Sequence, residues 1–221
     1  MNPLVDDALA RLNACLPVAA RQRELPVELA RVHRTILHSL YSRAAVPSRD
    51  EIAALLTHGD ADSALAQLRK LDLVVFSKDG RLAGAYPMTT EPTPHRLVLP
   101  GREINAMCAI DALSVTAMFG GTVEIRSQCR VTGEPVVIRQ EGERILYASP
   151  ETVMAGVRWQ RPCGGHAAHS LCMEMVFLKD AAAAEQWHGG ALEYHSLFDL
   201  EEAVEFGARF FKPLVATAAG A

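Results

Sequence analysis

At 221 residues the chain is long enough for one large domain, or a small domain followed by a larger one. A hydrophobic share of 49% and a charged share of 22% are ordinary for a globular protein, and a formal net charge of −4 argues against a nucleic-acid partner held by phosphate electrostatics. No apolar run approaches the ~20 residues that span a bilayer, the opening MNPLVDDALARLNACLP lacks the build of a signal peptide, and an odd count of five cysteines fits reduced thiols in a cytoplasmic protein better than a disulfide framework.

In chain order, VELARVHRTILHSLYSRA sets Leu29, Val32, Ile36, Leu37 and Leu40 at helical spacing. Ser48 with Glu51 three positions on makes a capping box that opens a short helix through Leu56. Asp62 or Ser63 starts a third helix, ALAQLRKLDLV. LVVFSKDGRLAGAY then reads as two short strands about a turn at Lys78-Asp79-Gly80. Three helices and a hairpin make a winged-helix-like module over residues 1–95. DNA-binding folds of this kind lay a recognition helix in the major groove. Here that helix offers Arg69 and Lys70 against Asp60, Asp62 and Asp72, so the expected role is packing or a lid.

PMTTEPTPHRLVLPG reads as an ordered linker. Residues 96–221 then form an α+β unit. INAMCAIDALSVTAMFG is expected to be helical and to stop at Gly120-Gly121. TVEIRSQCRVTGEPVVIRQEGERILYA alternates apolar and polar residues, with turns at Thr132-Gly133 and Glu141-Gly142, as an antiparallel meander does. The loop QRPCGGHAAH leads into LCMEMVFLKD, expected as a strand. AAAAEQWHG and LFDLEEAVEFGARFFKPLVATA close the chain as helices. The fold class is α+β: a winged-helix-like helical module, then an antiparallel-sheet catalytic domain with flanking helices.

Cys108 and Asp111 stand three apart, on one face if the segment is helical. Thiolates prefer soft metals, and a neighbouring carboxylate takes up and returns protons. Cys129 and Cys172 are further thiols that folding can bring to the same place. Taken singly, each cysteine reads as a small buried hydrophobe. A rival pattern is Cys163, His166, His169 and Cys172, spaced C-x2-H-x2-H-x2-C. It reads as a structural zinc knuckle about Gly164-Gly165, as a polar surface loop, or as a loop carrying an accessory thiol at Cys163. Cys15 reads as a core residue or a mobile surface thiol, Trp159 and Trp187 as packing residues, and Glu174 as a solvent-facing strand residue.

Taken together, MCAIDAL, GGTVEIRSQCRVTG, Ser170-Leu171-Cys172 running to Val176-Phe177, and the segment around Trp187 resemble the alkylmercury (organomercurial) lyases over about residues 95–215. The resemblance implies protonolysis of a carbon–mercury bond, giving a hydrocarbon and Hg(II), with no cofactor. It implies Cys108 and Cys172 as the mercury ligands, Asp111 as the proton carrier and a candidate third contact, and Cys129 as structural. A mercuric reductase or a small dithiol would then accept the Hg(II). One thiolate captures R–Hg⁺, and a second raises the coordination and makes the carbon more basic. Asp111 accepts the proton of an ionising thiol and passes it to that carbon. Acting as an acid requires a raised pKa, which the apolar neighbours Met107, Ala109, Ile110, Ala112 and Leu113 would supply. A cysteine near a helix N-terminus is also expected to ionise more readily. The alternative is a non-catalytic soft-metal binder, a metallochaperone or metal-responsive regulator, in which a proton donor has no task. Met173-Glu174-Met175 after Cys172, and His166 and His169 before it, depart from the family pattern and bear on the shape of the pocket.

Overall fold

The computed structural model describes residues 2–159 and 166–216. Helices α1 (Pro3–Cys15) and α2 (Val18–Arg23) lead into α3 (Val27–Arg43), whose apolar stripe of Leu29, Val32, Ile36, Leu37 and Leu40 is buried. The capping box forms as expected: Ser48 Oγ accepts from Glu51 N, Glu51 accepts from Ser48 N, and α4 (Arg49–Ala53) follows, shorter than the pattern suggested. Asp60, not Asp62 or Ser63, caps α5 (Ala61–Lys70). The hairpin pairs β1 (Val75–Phe76) with β2 (Leu82–Ala85).

The expected linker is instead part of the main sheet. β3 (Met88–Thr89) pairs with β2, and β4 (His95–Leu99) and β5 (Arg102–Ala106) form a hairpin inside the same sheet. The prolines that suggested a linker, Pro92 and Pro94, lie between β3 and β4, where no ladder hydrogen bond is needed. Helix α6 (Ala109–Phe119) is followed by β6 (Thr122–Gln128), β7 (Pro135–Glu141) and β8 (Arg144–Ser149), the expected meander. Together they make an antiparallel eight-stranded sheet in the order β1-β2-β3-β5-β4-β6-β7-β8.

A three-stranded sheet centres on β9 (Met154–Arg158), flanked by β10 (Met175–Leu178) and β11 (His195–Phe198). Helix α7 (Ala181–His188) packs beside it, and α8 (Leu200–Phe211), opened by an Asp199–Glu202 capping box, returns across the molecule. The segment expected as one strand from Leu171 divides: Leu171–Glu174 is a 3-10 turn, and the strand begins at Met175.

Helix α6 is the structural centre. It is mostly apolar, and Ala109 through Ala117 are all buried, the polar Asp111, Ser114 and Thr116 included, as befits a helix covered on every face. It lies between the large sheet and α8. Gln140 of β7 pins it by donating to Leu113 O at 2.8 Å. α8 comes close because residue 207 is glycine: a Cβ there would stand 2.1 Å from Ser114 Oγ. The larger core cluster draws on side chains from Val5 to Leu214, and the sheet takes strands from both sides of residue 95. Among the described residues no helix is long and apolar enough to cross a membrane.

Candidate active site

Cys108 does not lie within the helix. Residues 102–106 belong to β5, and Cys108 is the N-cap of α6, with extended backbone and a thiol that accepts from Asp111 N at 3.3 Å. A capping side chain folds back over the first turn, so Cys108 and Asp111 still meet. Their partner comes from the 3-10 turn. Sγ of Cys108, Sγ of Cys172 and a carboxylate oxygen of Asp111 all lie within 4.8 Å of one another, and all three residues are buried. Among the described residues this is the one grouping of three or more Cys, His, Asp or Glu side chains with metal-binding spacing. The two thiols are close enough to affect each other's protons, and the four cysteines among the described residues are free thiols.

The electrostatics are those of a dry pocket. Burial raises the Asp111 carboxyl from an ordinary 3.8 to about 7, outweighing the Cys108 contacts that favour its ionised form. Its Oδ2 has no hydrogen-bond partner. The helix N-terminus does not make Cys108 acidic. Burial, with the Cys172 thiol and the Asp111 charge, pushes it well above a normal thiol, against the single Asp111 N–H that favours thiolate. For Cys172 the hydrogen bond with Cys108 favours thiolate, but burial and the carboxylates of Asp111 and Asp72 outweigh it, and its pKa is raised. Both sulfurs therefore hold their protons until something displaces them. A soft metal does so directly, since a thiolate ligand forms only on losing its proton.

Several groups at the site are not singled out by motif or spacing. Met175 Sδ lies 3.6 Å from Cys108 Sγ. Its signal is a methionine three residues beyond Cys172, because residues i and i+3 eclipse in a 3-10 turn. Asp72, far away in sequence, anchors the stretch that carries Cys172. Its carboxylate accepts from Tyr86 OH at 3.0 Å and Ala167 N at 2.9 Å and pairs with His166 Nδ1 at 3.1 Å, while Tyr86 OH accepts from Ala168 N at 2.8 Å. Nothing local in the sequence marks Asp72. A cavity of only about 10 Å³ adjoins Asp111 and Cys172, walled by Leu12, Leu16, Tyr86, Met175, Phe210 and Phe211. A cleft of about 750 Å³ opens nearby, and its lining includes Met107 and Met173, the chain neighbours of Cys108 and Cys172, with His166 and His169.

Cys129 stands in a different core cluster, beside Val176, Leu178 and Trp187. Its N–H donates to Glu134 O, its Sγ accepts from Lys179 N at 3.4 Å, and it bridges to Phe177, fastening the end of β6 to β10. Cys163 lies outside the described residues, so of the C-x2-H-x2-H-x2-C pattern the described members divide: Cys172 turns to Cys108 and His166 to Asp72. Glu174 is no strand residue facing solvent; it sits in the 3-10 turn and pairs with Arg158 at 3.0 Å.

An α+β scaffold that buries two thiols and a protonatable carboxyl in one dry pocket defines a class: proteins that bind soft metals and carry a proton source beside the metal. Residues 88–212 match the family described as Alkylmercury lyase. Over 184 residues the chain is 29% identical to an alkylmercury lyase of Staphylococcus epidermidis, covering 82% of each, and over 143 residues it is 31% identical to one of Bacillus cereus, covering 63% of each. A solved structure described as the mercury-bound form of MerB2 superposes with a TM-score of 0.76 at 21% identity, covering 91% of this chain and 98% of that one. The chain belongs to the alkylmercury lyase family.

Proposed function

We propose that the protein cleaves the carbon–mercury bond of organomercurials by protonolysis, leaving Hg(II) between Cys108 and Cys172. The observation that carries this reading is the burial of two thiols and one carboxyl with their ligand atoms within 4.8 Å. An R–Hg⁺ group reaches the sulfurs from the cleft beside Met107 and Met173. One thiol binds mercury and releases its proton. The second gives its proton to Asp111 as it binds. Asp111, whose carboxyl is poised at about 7, passes that proton to the carbon. The hydrocarbon departs, Asp111 is a carboxylate again, and the site holds a neutral dithiolate of Hg(II). In this reading Cys129 is structural, and Cys163 is a candidate accessory thiol. The cavity at the thiols is smaller than any organomercurial, so binding displaces one of its apolar walls.

Residues 96–221 supply the reacting groups in this scheme, and residues 1–95 act as a winged-helix-like buttress, with Asp72 holding the approach to Cys172. A buried Hg(II) dithiolate is stable but exchanges with other thiols, so a mercuric reductase or a small dithiol in the cytoplasm serves as the acceptor. The test is incubation of the purified protein with phenylmercury acetate in excess thiol, with benzene measured in the headspace. Catalytic benzene release is expected. Stoichiometric mercury uptake without benzene would overturn the lyase reading in favour of a metallochaperone or metal-responsive regulator.

A further inference from the structure

We propose that Met175 is a third soft donor to the mercury, its thioether joining the Cys108 and Cys172 sulfurs. This rests on the reading that those two cysteines hold the metal. Met175 is 4% exposed, its Sδ lies 3.6 Å from Cys108 Sγ, and it lines the small cavity that Asp111 and Cys172 also line. The backbone accounts for that placement. Cys172 lies in the 3-10 turn Leu171–Glu174 and Met175 is its C-cap, so residues 172 and 175 come round to the same side. β10 then begins and holds Met175 opposite Val157 of β9. Two chain segments thus each present a sulfur followed three positions later by a second functional atom: the Asp111 carboxyl after Cys108, and the Met175 thioether after Cys172.

The chemistry suits the step. A thioether is soft and polarizable, so it prefers mercury to the harder ions that carboxylates and waters bind. It is neutral and carries no proton, so it donates an electron pair to the metal without adding a negative charge or displacing another proton. Raising the coordination at mercury weakens the bond to carbon. Being a poorer ligand than a thiolate, it does not trap the product against exchange as a third cysteine would. A leucine or valine at this position would fill the space equally well and give none of this.

The experiment is mercury-edge X-ray absorption on selenomethionine-labelled protein loaded with one equivalent of HgCl2, where a selenium neighbour is distinguished from the cysteine sulfurs. A Hg–Se contact is expected in the unmutated sequence. It is expected to be lost in Met175→Leu, a change that keeps volume and apolarity, while the two Hg–S contacts stay. Met175→Leu is also expected to surrender Hg(II) faster to dithiothreitol. Absence of a Hg–Se contact in the unmutated sequence, or its survival in Met175→Leu, overturns the proposal. Benzene release is read separately on the same preparations. Benzene without a Hg–Se contact defeats the methionine ligand alone, and a Hg–Se contact without benzene defeats the lyase reading alone.

Discussion

At the scale of single residues the site is governed by what burial does to protons. Asp111 is 2% exposed with one oxygen unpartnered, and its burial raises the carboxyl to about 7, where it exchanges protons in either direction at neutral pH. A solvated aspartate near 3.8 would be a poor acid toward carbon. Asp111→Asn keeps the shape and removes the transferable proton. The expected result is a fall in benzene release of about 10²–10⁴, the range that general acid catalysis contributes, with Hg(II) binding by the two thiols kept. Gas chromatography for benzene and a mercury-binding titration check the two halves; unchanged cleavage would remove Asp111 from the mechanism. The Cys108–Asp111 pairing was legible in the sequence, although the expected geometry was a shared helix face and the observed one is a cap. Met175 was legible only as a departure from the family pattern, because its meaning depends on a 3-10 turn where alternation of residues suggested a strand.

At the scale of elements two joints hold the site together. Helix α5 ends in a Schellman motif: Leu73 N donates to Leu68 O, Asp72 N to Arg69 O, and Asp72 takes the left-handed position at φ 52°, where glycine is usual. An aspartate there costs about 1 kcal/mol of backbone strain, and its carboxylate offsets that by gathering Tyr86, His166 and Ala167. Asp72→Gly relieves the backbone yet loses hydrogen bonds to a charged acceptor worth about 1.5–3 kcal/mol each. The net expectation is a loss of about 2 kcal/mol or more in urea unfolding, with slower cleavage because the turn carrying Cys172 is unmoored. The second joint is the α6–α8 crossing. Gly207→Ala places a methyl carbon 2.1 Å from Ser114 Oγ and is expected to destabilise by about 1–3 kcal/mol, the usual cost of overpacking. Adding Ser114→Ala should recover part of that loss, and thermal melts of the single and double variants measure it. Helices with clear caps and stripes, such as α3, α4 and α8, were readable from the sequence, as was the β6–β8 meander. Strands β3 to β5 were not: they are short, Pro92 and Pro94 stand in the stretch between β3 and β4, and long-range pairing rather than local pattern makes them strands.

At the scale of the whole molecule, burial of titratable groups couples stability to pH in two opposing directions. His33 is enclosed between Gln22 and Leu73; Leu73 O can only accept, so Nε2 carries the proton and Nδ1 accepts from Gln22. Burial lowers its pKa from 6.5 to about 4, and burial, with the Arg130 charge, does the same to His95 beside Ser127 and Phe177. The unfolded chain protonates both near 6.5 while the folded chain resists until about 4, so their contribution is whole above pH 6.5 and is lost as pH falls to 4. Asp111 works the other way: its folded pKa of about 7 exceeds 3.8, so its contribution is whole below 3.8 and is lost as pH rises through 7. Between pH 4 and 6.5 the two histidines oppose the one carboxyl, so these three buried groups together take up roughly one net proton on unfolding. Unfolding free energy should therefore rise with pH across that window by about 1.4 kcal/mol per unit. Asp111→Asn removes the opposing group and should steepen the slope toward twice that value, whereas His33→Gln should flatten it. Urea titrations at intervals from pH 4 to 6.5 measure all three slopes. A steeper dependence in Asp111→Asn would show that the acid held ready in the site destabilises the fold more as pH rises, and an unchanged slope would mean that Asp111 is not held protonated in the folded protein.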